Sequence, residues 1–169
     1  DWSSDVCSSD LNHLHAHIYA SKIENENIDY PAISLVVSGG HTSLFLTHSE
    51  TNYEPIGGTI DDAAGEAFDK VGKILGLGYP AGPEIDAIAQ KGNEKAIQFP
   101  RSYLKKGSLD FSFSGIKTAV LYHCMGQNSK NTSEIPKLTD NEIANVAASF
   151  QEAVVDVLVD KTIFAATKF

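Results

Sequence analysis

Two histidines four residues apart, His13 and His17, stand in the string NHLHAH. On a helix this spacing puts both imidazoles on one face, one turn apart, the geometry for gripping a single metal ion. His15 between them points to another face. A closed site needs at least one more ligand, usually a carboxylate from elsewhere in the chain. HxxxH without the glutamate of HExxH is equally the pattern of a solvated, His-rich helix end. A second candidate is the turn Ser38-Gly39-Gly40-His41-Thr42. Adjacent glycines let a backbone approach a ligand closely, and turn amides can form a nest for an anion. A plain hairpin turn uses the same residues. Asp69 is the third candidate, on the polar stripe of a helical segment, with Gly82 and Asp86 after the break GYPAGP. Two carboxylate oxygens match a vicinal diol such as that of ribose, although a solvated helix face asks for the same residue. Asp61, Asp62 and Glu66 share that ambiguity, and Lys117 could meet a phosphate or water. No Ser/His/Asp spacing, Walker A loop or GxGxxG is present, and no residue stands out as an obligatory general base.

The elements that must position these groups follow from periodicity. Residues 12–26 predict a helix with Leu14, Ile18 and Ile23 among its apolar positions. After Pro31, AISLVV has the character of a buried strand, SGGH of a tight turn and TSLFLTH of the return strand. YEPIG is expected to be a third, short strand, completing a β-meander. Residues 61–75 predict an amphipathic helix, with Ala64, Ala67, Phe68, Val71, Ile74 and Leu75 on one face and Asp62, Glu66, Asp69 and Lys73 on another. EIDAIAQKG predicts a shorter helix. The stretch 93–113 is loop-like, with Arg101, Lys105 and Lys106 the most basic cluster in the chain, and the segments 115–125 and 139 onward predict further helices. Thr139 with Glu142 forms a capping box at the start of the last one. The architecture expected is α/β, a meander with helices packed on it.

At 169 residues the chain is long enough for one domain with a real core, or for one domain and part of another. Its net charge of −9 argues against a stand-alone nucleic-acid binder, whose affinity rests on neutralising phosphates, but leaves RNA open as a substrate held mainly by other surfaces. Cys7 and Cys124 make neither a CxxC nor a disulfide framework. No apolar run approaches the roughly 20 residues needed to span a bilayer, so no membrane association and a cytoplasmic location are expected. Residues 1–11, DWSSDVCSSDL, carry no period of either kind and look like a non-native remnant.

Three strings taken together resemble one family. VVSGGHT (36–42), IDDAAGEAFDKVGKILGLGYPAGPEID (60–86) and FPRSYLKKGSLDFSFSGIKTAV (99–120) are similar to the corresponding parts of the TsaD family of tRNA threonylcarbamoyladenosine transferases, and NHLHAH is similar to its metal-binding helix. The resemblance covers essentially all of 12–169. It implies an actin/Hsp70-like fold of two ribonuclease H-like lobes, of which this chain holds an internal portion. Residues 12–30 would be the metal-binding helix from the end of the first lobe, and 31–169 the second lobe.

The activity implied is transfer of threonylcarbamoyl from threonylcarbamoyl-AMP to N6 of adenosine 37, in tRNAs reading codons that begin with A. His13 and His17 would bind a divalent metal, Fe(2+) in the family's usual form. Val36, Val37, Ser38, Gly39 and Gly40 would line the phosphate side of the substrate pocket, and Asp69, Gly82 and Asp86 would hold its nucleotide part. A TsaB-like paralogue and a TsaE-like ATPase are the implied partners. Where the family's metal-binding string carries Glu and Gly, this chain has His15 and Ala16, which leaves both ligand positions intact. The resemblance puts the third metal ligand, an aspartate, outside these residues, and the portion alone would be inactive. Two alternatives are a non-catalytic TsaB-like scaffold, against which His13, His17 and the SGGHT turn speak, and another ATPase of the superfamily, against which the long 60–86 string speaks. A metallopeptidase would want a catalytic Glu beside the histidines, where His15 and Ala16 stand.

Overall fold

A computed structural model of the chain describes residues 12–23, 25, 27–126 and 137–169. The segment 1–11 and most of the polar stretch after residue 125 lie outside the described residues. Helix α1 (His13–Ala20) starts where the side chain of Asn12 accepts a hydrogen bond from the Leu14 amide at 2.9 Å, and it passes into a 3-10 turn at Ser21–Ile23. The helix is therefore shorter than the 12–26 span predicted, because the apolar spacing fades at its polar end.

The meander is as expected: β1 (Ala32–Val37), β2 (Thr42–Ser49) and β3 (Asn52–Gly58) form one antiparallel sheet in the order β1-β2-β3. Val37 pairs with Thr42 across the SGGH turn, and register shifts at Leu44/Phe45 and Thr47/Ser49 bend β2 against β3. Alternation along the strands divides two cores. Val36 and Phe45 face α1 and bury Ile18, while Leu44, with Leu35 and Ile56, faces a larger cluster.

That larger cluster is built by α2 (Ala64–Leu75), α3 (Gly82–Ala89), α4 (Ser114–Met125) and α5 (Asp140–Lys168). The sheet is thus covered by α1 on one face and by the other helices on its opposite face. Phe111, Phe113, Phe150, Val71 and Ile85 are fully buried at its centre. The capping box of α5 is present, with the Thr139 amide donating to Glu142 Oε2 at 2.8 Å and the Glu142 amide to Thr139 Oγ1 at 3.3 Å. Helix α2 begins three residues later than its pattern suggests, since Asp61 and Asp62 serve other elements.

The loop before α4 is tied down along its length. The Ile60 amide donates to Phe111 O and the Phe111 amide to Gly58 O, a parallel bridge that lays DFSFSG against the end of β3. Arg101 donates to Asp156 Oδ2 through Nε and Nη2, at 3.0 and 2.7 Å, and Tyr103 donates to Asp160 at 2.6 Å. The Asp160 carboxylate and burial together push the Tyr103 phenol up to about 12. Buried Lys161 donates to the carbonyls of Tyr103 and Ser108, and burial pulls its ammonium below the ordinary lysine value.

Candidate functional site

The candidate residues gather around the turn between β1 and β2. His13 and His17 project from one face of α1, their Nε2 atoms 3.1 Å apart and their rings edge-on at 4.6 Å between centroids. Two nitrogens each 2.0–2.1 Å from one tetrahedral ion stand about 3.3 Å apart, so the pair has the separation of co-ligands without rearrangement. Both are exposed. His15 turns away, against Phe45 and Tyr53 on the sheet, as its place on the helix requires. Among the described residues no group of three His, Cys, Asp or Glu side chains closes a metal site. His41, on the turn, lies with its ring 6.0 Å from that of His13.

The turn is locked by its own hydrogen bonds. The Ser38 amide donates to His41 O at 2.8 Å, and the His41 amide donates back to Ser38 Oγ at 3.1 Å. It is also bolted to α2: the Gly65 amide donates to Ser38 O, and the Ala64 amide to Thr42 Oγ1 at 2.9 Å. Buried Thr42 thereby caps the first turn of a helix 22 residues away in sequence. Gly65 makes the approach possible, because a Cβ there would sit 2.6 Å from Ser38 O and 2.7 Å from Gly39 Cα. A Cβ on Gly39 or Gly40 would meet nothing within 4 Å, so the bare backbone of the turn faces open space.

Hollows open on either side of this turn. One, about 380 Å³, is lined by His17, Ile18 and the β1 residues through Val36, Val37 and Ser38. The other, about 520 Å³, is lined by Gly39 together with Glu66, Asp69, Lys73 and Tyr79. Ser38 and Gly39, adjacent in the chain, thus border a histidine hollow and a carboxylate cleft. Asp69 is not simply solvated. Its Oδ1 accepts from the Ala81 amide at 2.8 Å, latching the segment before α3 and leaving Oδ2 as the oxygen with no partner among the described residues. Gly82 is the next residue, the first of α3, with open space where a Cβ would stand. Asp86 is one turn further on and accepts from Gln151 Nε2 of α5 at 2.9 Å, outside the residues that line the cleft. Lys73, on the same polar face of the helix as Asp69, lines the same cleft.

The other acidic residues have structural work. Asp61 accepts four hydrogen bonds, from Ser112 Oγ, Ser114 Oγ and the amides of Phe113 and Ser114, and so caps α4 from a distance. Burial alone would raise its pKa, but these donors hold the carboxyl below the ordinary value. Asp62 receives Lys70 at 2.6 Å and Lys117 at 3.3 Å, which outweigh burial and keep it low as well. Lys117 is therefore engaged within the fold, and so is Arg101 of the basic loop, paired with Asp156. Lys105 and Lys106 remain exposed on that loop. Sequence reasoning passed over Gly65 and, although it named Thr42 in the turn, the cap that Thr42 gives α2. A threonine closing the SGGHT string and a glycine in the first turn of an otherwise good helix were the available signals.

The family model described as tRNA N6-adenosine threonylcarbamoyltransferase, TsaD, matches residues 2–169. The chain belongs to the TsaD family. Proteins named tRNA N6-adenosine threonylcarbamoyltransferase from Desulfotalea psychrophila and Desulfitobacterium hafniense are 53% identical over 157 residues and 52% identical over 155 residues, each match covering 92% of this chain. A relative of the same name from Rhodopirellula baltica is 50% identical over 163 residues, 95% of the chain. The chain spans 44%, 43% and 44% of these three relatives' own lengths. TsaD proteins have the actin/Hsp70-like fold, and the sheet with helices on both faces agrees with a portion of it. No described helix is long and apolar enough to cross a membrane.

Proposed function

We propose that this chain forms one side of the catalytic cleft of an enzyme that makes threonylcarbamoyladenosine in tRNA. The acyl donor is threonylcarbamoyl-AMP and the acceptor is N6 of adenosine 37, in tRNAs reading codons that begin with A. The observation that carries the reading is the meeting of the histidine hollow and the Asp69 cleft at one glycine turn, in a chain whose family is named for this transfer. Residues 12–30 then belong to the end of a first lobe and 31–169 to the second.

An exocyclic adenine amine is a poor nucleophile, so such a site must sharpen the electrophile and stabilise charge on the departing group. His13 and His17 would hold a divalent metal, Fe(2+) in this reading, and imidazole nitrogens suit that ion. A metal there supplies Lewis acidity toward acyl oxygens. Ser38 and the bare glycines Gly39 and Gly40 would take the phosphate side of the adenylate, with Val36 and Val37 beside them. Asp69 Oδ2 would accept from the ribose, and Gly82 and Asp86 would border the nucleotide at the start of α3. A TsaB-like paralogue and a TsaE-like ATPase would complete the assembly, and the protein would work in the cytoplasm.

The test is reconstitution. A protein of the relatives' full length carrying this sequence, given threonylcarbamoyl-AMP and unmodified tRNA, is expected to form threonylcarbamoyladenosine detectable by nucleoside mass spectrometry. The 169-residue chain alone is expected to form none. Failure of the full-length protein to modify tRNA in the presence of its partners would contradict the proposal.

A further inference from the structure

The loop that leads into DFSFSG carries a hollow of its own. It measures about 340 Å³, lies between residues 103–108 and α5, and shares no lining residue with the two hollows at the β1–β2 turn. Lys105, Lys106 and Lys161 line it against one carboxylate, Asp160, in a chain whose formal net charge is −9. That carboxylate is already engaged, accepting from the Tyr103 hydroxyl at 2.6 Å. Lys105 and Lys106 are exposed, and the ion pairs among the described residues include neither. The hollow is a cationic island on an acidic chain, which suits it to an anionic partner.

Lys161 has a different task from the other two. It is 4% exposed, and its Nζ donates to the carbonyl of Tyr103 at 3.0 Å and to that of Ser108 at 2.9 Å. One buried ammonium therefore ties both ends of the loop to α5. Between those ends the Ser108 amide donates to Lys105 O at 3.0 Å, and Leu104 is held at φ 58°, the one non-glycine in the left-handed region among the described residues. Such a backbone persists only where its surroundings over-determine it. Lys105 and Lys106 thus stand on a loop whose shape is set before a ligand arrives, which lowers the ordering cost of binding.

We infer that this hollow is a docking surface for the sugar–phosphate backbone of tRNA, with Lys105 and Lys106 meeting phosphates and Lys161 as the positioning residue that holds them. The inference rests on the reading of tRNA as the acceptor. Lysine is a point charge that neutralises phosphate without reading sequence. Exposed Leu104 and Phe164 add apolar surface to the same hollow, against which a ribose or base can lie.

The probe is an unmodified tRNA transcript, titrated into the full-length protein by fluorescence anisotropy over a range of salt. Lys105→Glu with Lys106→Glu is expected to weaken tRNA about tenfold and to flatten the dependence on salt. Both side chains are exposed, so this variant remains folded. Lys161→Met keeps the buried stem and removes both carbonyl bonds. It is expected to weaken tRNA about fivefold, the cost of re-ordering roughly one residue of backbone. Its salt slope should match the parent's, because the same phosphates are still neutralised. AMP affinity should equal the parent's in both variants. The exposed double variant decides the surface whether or not Lys161→Met folds. If the parent binds tRNA and the double variant binds it equally, the docking surface is overturned while the acceptor reading stands. A folded Lys161→Met protein with the parent's tRNA affinity overturns the positioning role. Displacement of tRNA from the parent by poly-glutamate as effectively as by unlabelled tRNA assigns the surface to an acidic peptide and overturns the RNA assignment. A parent that binds no tRNA overturns the acceptor reading, and the docking surface with it.

Discussion

Asp69 is the residue where structural and ligand-binding roles can be separated by choice of substitution. Its Oδ1 accepts from the amide of Ala81, a residue with 0% exposure, while Oδ2 has no partner among the described residues. Asp69→Ala removes both oxygens and leaves that amide without a partner, which costs about 1–3 kcal/mol of stability. Asp69→Asn keeps a carbonyl oxygen for Ala81 and forfeits only charge assistance, a loss under about 1 kcal/mol. At the ligand, however, asparagine presents an NH2 where Oδ2 stood, and a charge-assisted acceptor for a ribose hydroxyl disappears. That bond is worth about 1.5–3 kcal/mol, so adenylate affinity should fall roughly 10- to 150-fold in Asp69→Asn. Denaturant titration of both variants, beside calorimetric titration of AMP, measures the two effects. If Asp69→Asn keeps both stability and affinity while Asp69→Ala loses both, the carboxylate is only a latch and the ribose role is refuted.

Other expectations follow from the same geometry. Gly65→Ala should cost about 1–3 kcal/mol by overpacking the turn, with its Cβ directed at Ser38 O, and amide NMR shifts should concentrate at residues 38–41; a silent substitution would contradict the tight approach. Lys105→Ala with Lys106→Ala should lower the slope of log tRNA affinity against log salt by about 0.9 for each phosphate no longer neutralised, whereas Arg101→Ala, which breaks the pair with Asp156, should act on denaturation instead. An unchanged salt slope rules the two lysines out. Asp61 in the folded state ionises below its ordinary value, so the unfolded chain binds more protons. The stability it gives is therefore complete above about pH 4 and lost as pH falls through the folded value. Asp61→Asn should flatten that acid limb without removing it, since Asp62 is held low too, and an unaltered limb would show that the cap on α4 carries no stability.

Much of this fold was legible because its signals are local. The meander follows from short apolar runs broken at SGGH and SETN, and the start of α5 from one Thr and one Glu at capping-box spacing. His13 and His17 were readable as a pair for the same reason, since helical spacing alone fixes their common face. What remained hidden depends on interactions between distant segments. Asp61 and Asp62 were indistinguishable from Asp69 in sequence, yet their partners at Ser112–Ser114 and Lys117 lie more than 50 residues away. Arg101 was indistinguishable from Lys105 and Lys106 in the basic cluster until α5 supplied Asp156. That Lys73 and Asp69 line one cleft was hidden because helical periodicity records which face is apolar and not what a neighbouring turn encloses.

The histidine pair carries the most direct test of the proposed site. In a full-length protein of this sequence, metal content by inductively coupled plasma mass spectrometry should be measured beside threonylcarbamoyladenosine formation on tRNA, with and without His17→Ala. Near-stoichiometric metal is expected in the parent. His17→Ala should lose metal and transfer activity in parallel, because Nε2 of His13, 3.1 Å from its partner, is then left without a co-ligand on α1. A His17→Ala protein that keeps its metal and its rate would make the pair structural and contradict the proposed site.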